Sequence, residues 1–121
     1  MSSSGAGRHL LLDLNLADSR HLSDVAGIER LLREAASLAG ATVIHAHFHH
    51  FGPDMGVTGM LLLQESHISI HTWPEHAYAA VDIFMCGDAR PELAASHIES
   101  GLHGKASSIR VLERQPAAVS V

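Results

Sequence analysis

From Arg8 to Leu16 leucine alternates with other residues, so that Leu10, Leu12, Leu14 and Leu16 are set against His9, Leu11, Asp13 and Asn15. A period of two sends successive side chains to opposite faces of a strand, and the run predicts a first strand with one face well buried. Past Ser23 the period changes. Val25, Ile28, Leu31, Leu32, Ala35 and Leu38 recur at three-to-four spacing, Arg30 and Arg33 fall outside that stripe, and Gly40 follows. This predicts an amphipathic helix capped at Ser23 and stopped by Gly40.

Thr42 to Phe51 returns to a period of two, with Val43, His45, His47, His49 and Phe51 on one face and Ile44, Ala46, Phe48 and His50 on the other; Gly52, Pro53 and Asp54 then make a turn. Val57 to Gln64 predicts a third strand that runs straight into Glu65 and Ser66. In a fourth strand, His67 to Trp73, His67, Ser69, His71 and Trp73 oppose Ile68, Ile70 and Thr72. Pro74 and Glu75 turn the chain into a fifth strand, about His76 to Met85. Pro91 suits the first turn of a second helix, which gains an apolar side from Leu93, Ala94, His97, Ile98 and Leu102 and stops at Gly104. Ala106 to Glu113 closes the series as a last strand.

The order β-α-β-β-β-β-α-β with short connections favours antiparallel neighbours. Two helices can cover only one face of such a sheet, yet residues 57–64 and 77–85 are apolar on both faces. The expected fold class is therefore α+β, a two-layer sandwich with a mainly antiparallel sheet and two helices on one face. Its free face is expected to pack on a second copy as an α-β-β-α homodimer. A chain of 121 residues suits a single domain, 1–121, with 1–6 and 115–121 as loose tails.

Charge narrows the partners. Eight Lys and Arg against thirteen Asp and Glu leave a net charge of −5, which argues against a nucleic-acid binder and is compatible with a cationic substrate. No apolar run reaches the roughly 20 residues needed to span a bilayer, and the start, MSSSGAGRHL, lacks the basic and apolar regions of a signal peptide. The single cysteine cannot form an internal disulfide and fits a reducing cytoplasm. No nucleic-acid or membrane partner is expected, and the expected location is cytoplasmic.

Residues 64–87 gather the reactive side chains: Glu65, Ser66, His67, His71, Glu75 and Cys86. A serine hydroxyl can attack the carbonyl that precedes it and turn the amide into an ester. β-Elimination then breaks the chain and leaves a dehydroalanine that hydrolyses to a pyruvoyl group with loss of ammonia. The reaction needs an oriented bond between Glu65 and Ser66, a base for the Cα proton and donors for the oxyanion. Taken singly, Ser66 reads as a turn serine, Cys86 as a small buried hydrophobe and Glu75 as a solvated turn residue. The eleven histidines open another possibility, because His45, His47 and His49 share a strand face and could ligate a metal. No second ligand cluster accompanies them, and no metal is expected.

GRHL at 7–10, GAT at 40–42, FHHF at 48–51, GVTG at 56–59 and ESHISIHTWPEHAYAAVDIFMCG at 65–87 resemble, in order and near spacing, the small bacterial and archaeal S-adenosylmethionine decarboxylases. The resemblance covers most of residues 7–112. It implies cleavage between Glu65 and Ser66 into a β chain (1–65) and an α chain (66–121) headed by a covalent pyruvoyl cofactor formed from Ser66, which takes the substrate amine as a Schiff base. It implies His71 as the proton acceptor of processing, Thr58 as its assistant, and Cys86 as the proton donor of decarboxylation. Thr58 stands where the family usually has a serine. Phe51 would stack on adenine and Glu75 would hold the ribose hydroxyls, although the loop GPDMGVTG is one residue longer than the family pattern. The implied assembly is a homodimer with active sites between protomers.

The function expected on this basis is a self-processing pyruvoyl-dependent decarboxylase making decarboxylated S-adenosylmethionine and CO2 for polyamine, and so spermidine, biosynthesis. Relatives of the fold act on arginine, and ornithine is a further alternative; Phe51 and Glu75 favour the nucleoside. From another class, the alternative is a non-catalytic, histidine-rich metal-binding dimer whose chain stays intact.

Overall fold

The computed structural model describes residues 5–117, so most of the expected tails, 1–6 and 115–121, lies outside the described residues. The elements keep the order read from the sequence: β1 (Gly7–Leu16), α1 (Val25–Ala39), β2 (Val43–His50), β3 (Val57–Leu63), β4 (Ser66–Trp73), β5 (Tyr78–Cys86), α2 (Pro91–Gly101) and β6 (Gly104–Arg114). Short 3-10 turns form at Arg20–Ser23 and Pro74–His76. The strands make one sheet ordered β2-β3-β4-β5-β1-β6, antiparallel at every junction. The α+β sandwich is thus the fold. Among the described residues no helix is long and apolar enough to cross a membrane.

Alternation decides which face is buried. Leu10, Leu12 and Leu14 of β1, Leu61 and Leu63 of β3, Ile68 and Ile70 of β4, and Val81, Ile83 and Met85 of β5 point to the helices. There they meet Ile28, Leu32 and Ala35 of α1 and Ala94 and Ile98 of α2. Each fully buried leucine or isoleucine contributes about 1.5–3 kcal/mol. The helices touch where α2 ends: a Cβ on Gly101 would stand 2.2 Å from Leu31 Cδ1, so a larger residue would push them apart.

Several boundaries differ from the sequence reading for local reasons. The cap of α1 is Asp24, whose carboxylate accepts from the Gly27 N–H at 3.0 Å, because Ser23 is used up in the preceding 3-10 turn. Gly40 closes α1 as expected, at φ 84°. The buried side of α2 is Pro91, Ala94, Ala95 and Ile98, while Leu93 and His97 fall outside it, and His97 pairs with Glu34 of α1 at 3.0 Å. Gly104 starts β6 rather than ending α2. A register shift in β2 between Val43 and His45 turns Val43 to the same side as Ala46 and Phe48, against the core, and leaves His45, His47 and His49 exposed.

Thr72, among the described residues the one buried polar side chain of the core, ties the layers together. Its hydroxyl accepts from the Val57 N–H at 2.8 Å and donates to the Leu22 carbonyl at 2.7 Å. The helix-free face keeps Trp73, Leu112, Met60 and Leu62 at 39–47 % exposure, an apolar surface left open by the described residues.

Candidate active site

β3 and β4 form a tight hairpin in which Leu63 pairs with Ser66, leaving Gln64 and Glu65 as the turn. Glu65 sits at φ 61°, the left-handed region that a residue with a Cβ seldom adopts. The bond after it leads to Ser66, whose Oγ accepts from the Cys86 backbone N–H at 3.2 Å. Across from Cys86 lies Gly7. A Cβ on Gly7 would fall 2.9 Å from Cys86 Sγ and 2.8 Å from the Met85 carbonyl, so the missing side chain is what makes room for the half-buried thiol. The hairpin, Ser66, Cys86 and Gly7 therefore come together at one end of the sheet.

His71 and Thr58 are brought together at the other end. They are cross-strand partners on the helix-free face, with Thr58 Oγ1 3.1 Å from His71 Nδ1. The glycines on either side of Thr58 are positions of close approach. A Cβ on Gly56 would lie 2.2 Å from the Thr72 carbonyl, and one on Gly59 2.0 Å from the Phe48 ring. GVTG is thus the pattern needed to seat Thr58 against β4 while Phe48 packs beneath. Phe51, just past β2 and 55 % exposed, meets His49 edge to face at 4.6 Å, and its N–H closes the 51–56 loop on the Gly56 carbonyl at 3.0 Å. Glu75 lies exposed in the 3-10 turn that follows Trp73. Trp73 stacks on Tyr78 at 5.3 Å, and the Tyr78 hydroxyl donates to Asp13 Oδ1 at 2.6 Å. That bond to the Asp13 carboxylate holds the phenol above its usual range.

Within one chain the two groups do not meet. His71 lies five residues past Ser66 on the same strand, which at a strand's rise per residue is about 16 Å. Their parity differs as well: His71 opens to the free face, whereas Ser66 shares the side of Ile68 and Ile70. Between the ends, the free face holds a shallow cavity of 390 Å³ lined by Leu11, Asp13, Ser69, His71, Asp82 and Arg110.

The ligand-type side chains that do converge are not the histidines that the sequence offered as metal ligands. Among the described residues, His9, His67 and Asp82 place their ligand atoms within 4.8 Å of one another, while His45, His47 and His49 stay side by side on β2. His9 and Asp82 were invisible as a pair because 73 residues separate them. Their strand parity was legible, but the register that joins β1 to β5 was not.

The profile of the S-adenosylmethionine decarboxylase family matches residues 8–115. A Synechococcus protein named S-adenosylmethionine decarboxylase proenzyme is 47% identical over 94% of this chain and 90% of its own length. Proteins of the same name from Thermodesulfovibrio yellowstonii (41%, 89% of this chain and 80% of the relative) and Methanococcus maripaludis (44%, 89% and 88%) are similar too. Among solved structures, the adenosylmethionine decarboxylase from Aquifex aeolicus superposes with a TM-score of 0.79 at 36% identity, covering 98% of this chain and 96% of that one.

Proposed function

The chain belongs to the S-adenosylmethionine decarboxylase family, and from that premise we propose that it is a self-processing S-adenosylmethionine decarboxylase of polyamine biosynthesis, working in the cytoplasm with a pyruvoyl group made from Ser66. The observation that carries the reading is the seat of the scissile bond: a left-handed Glu65 delivers Ser66 to the Cys86 N–H beside a half-buried thiol. The strained turn supports attack by Ser66 Oγ on the Glu65 carbonyl, and elimination from the ester separates 1–65 from 66–121. Because Gly7 has no side chain, the Cys86 thiol keeps its place at the end of the strand that carries Phe84 and Met85.

The pyruvoyl group supplies a ketone that takes up the substrate's amine and draws electrons from the carboxylate-bearing carbon as CO2 leaves. The chain's own residues do the rest. Cys86 delivers a proton to the substrate carbon. In the tautomer that donates Nδ1–H to Thr58 Oγ1, His71 keeps Nε2 free to accept the Cα proton during cleavage. Phe51 offers a face for adenine, and Glu75 offers a carboxylate for the ribose hydroxyls.

Each chain carries two half-sites about 16 Å apart on one strand, and the helix-free face lies unpaired. A two-fold axis in that face, perpendicular to the strands, would set the Ser66 and Cys86 end of one protomer over the Thr58 and His71 end of its partner. Two complete sites would form between two packed sheets. This supports an α-β-β-α homodimer.

The assay is release of CO2 from carboxyl-labelled S-adenosylmethionine, with arginine and ornithine in parallel. Release from S-adenosylmethionine alone is expected. Release from arginine alone would reassign the substrate.

A further inference from the structure

The cluster of His9, Asp82 and His67 has no part in the chemistry assigned above, yet it touches the scissile bond's neighbour. His9 of β1 and His67 of β4 both lie opposite Phe84 of β5, and Asp82 stands two residues along on the same face. A single oxygen, Asp82 Oδ1, meets Nε2 of both rings: His9 in a short contact and His67 at 3.2 Å. A carboxylate only accepts, so both Nε2 atoms carry the proton. On the far side of His9, Arg114 Nη1 lies 3.0 Å from Nδ1. A guanidinium only donates, which makes His9 Nδ1 an acceptor and independently fixes the same tautomer. Phe84 backs the group, with ring centres 5.4 Å from His9 and 5.9 Å from His67, and Arg114 lies over it at 5.8 Å.

The same three side chains could be read as a metal centre. Arg114 speaks against it, because a metal-bound imidazole gives its second N–H to an acceptor, and here that nitrogen faces a donor. What the chain of bonds does achieve is to fasten His67 to β5, β1 and β6 at once. His67 immediately follows residue 66, and after cleavage between 65 and 66 it is the first side chain that can hold the new terminus, a part of a chain that otherwise frays.

We propose that the hydrogen-bonded series Arg114, His9, Asp82 and His67 positions residue 66, before and after cleavage, by pinning the residue that follows it. Asp82 and His9 are positioning residues that act through His67 and touch no reacting atom. The proposal rests on the decarboxylase reading, and its test separates the two. In uncleaved Ser66→Ala protein, ring nitrogen NMR of labelled histidines is expected to show the Nε2–H tautomer for His9 and His67, unchanged by added zinc. Adding Asp82→Leu should release His67 to a tautomer mixture, and Arg114→Met on top of it, on an edge strand, should release His9 as well. In the cleavable chain Asp82→Leu should slow cleavage and lower kcat at least about tenfold with KM unchanged, as a displaced reacting group does. Asp82→Asn, which keeps the accepting oxygen, should restore most of both. An Nδ1–H tautomer at His9, stoichiometric zinc on these rings, or wild-type cleavage and kcat in Asp82→Leu would overturn the proposal alone. A parent chain that neither cleaves nor decarboxylates would remove the decarboxylase reading and the proposal with it.

Discussion

Ser66 and His71 share one strand, five residues apart and on opposite faces of the sheet. With the processing base assigned to His71, cleavage at Ser66 is therefore expected to need the base of a second copy of the chain. His71→Ala protein should stay uncleaved by itself, but should be cut when co-expressed with Ser66→Ala protein, which cannot cut itself yet carries an intact His71. Separately tagged chains and a denaturing gel read this out. Absence of cleavage in the mixed dimer would mean that His71 acts, if at all, within its own chain.

Thr58 holds His71 Nδ1 at 3.1 Å. Thr58→Val keeps the shape and removes the hydroxyl, so cleavage should slow by about 10- to 100-fold while the fold is kept, in line with the loss of one orienting hydrogen bond. Thr58→Ser should cleave at least as fast as the parent. Equal rates in Thr58→Val would show that the hydroxyl is only a surface group.

Cys86 meets Ser66 through its backbone N–H, a contact that survives replacement of the side chain. Cys86→Ala is therefore expected to cleave normally, to decarboxylate about 100-fold more slowly, and to lose activity during turnover as protons go to the wrong carbon. Full and lasting turnover would remove the thiol from the mechanism.

The strands and helices were legible because alternation and three-to-four spacing are written locally. The Leu10 to Leu16 series and the Ile68, Ile70 and Thr72 series point where the sequence says they should. What failed was competition between neighbours: Ser23 and Asp24 are both good caps, and only the 3-10 turn that absorbs Ser23 decides for Asp24. A single shift in β2 moved Val43 to the core side, which no period count reveals. The site was legible as a motif, while the separation of its two ends, about 16 Å along one strand, follows from the extended backbone. Gly7 as the space for the thiol, and Asp82 as the joint acceptor of two histidines, depend on register between β1, β4 and β5.

Glu92 near the start of α2 gives a pH-dependent contribution. Its own backbone N–H, then the Arg8 charge and the Arg90 bond, hold its carboxyl below the usual value. A carboxyl lowered on folding stabilises above its unfolded pKa of about 4.3, and the gain is lost as pH falls through the folded value. The Arg8 pair is solvent-exposed, so Glu92→Gln should cost only about 0.5 kcal/mol at pH 7. That gap should close as denaturation curves are taken to pH 3, and a gap that persisted there would remove charge as its cause.

Self-cleavage before Ser66 is read out by an intact-mass spectrum of freshly purified, denatured protein. The predicted result is two fragments, 1–65 and 66–121, the second lighter than its serine form by the change to a pyruvoyl end. A single persistent species of 12.9 kDa, unchanged on incubation, would contradict it.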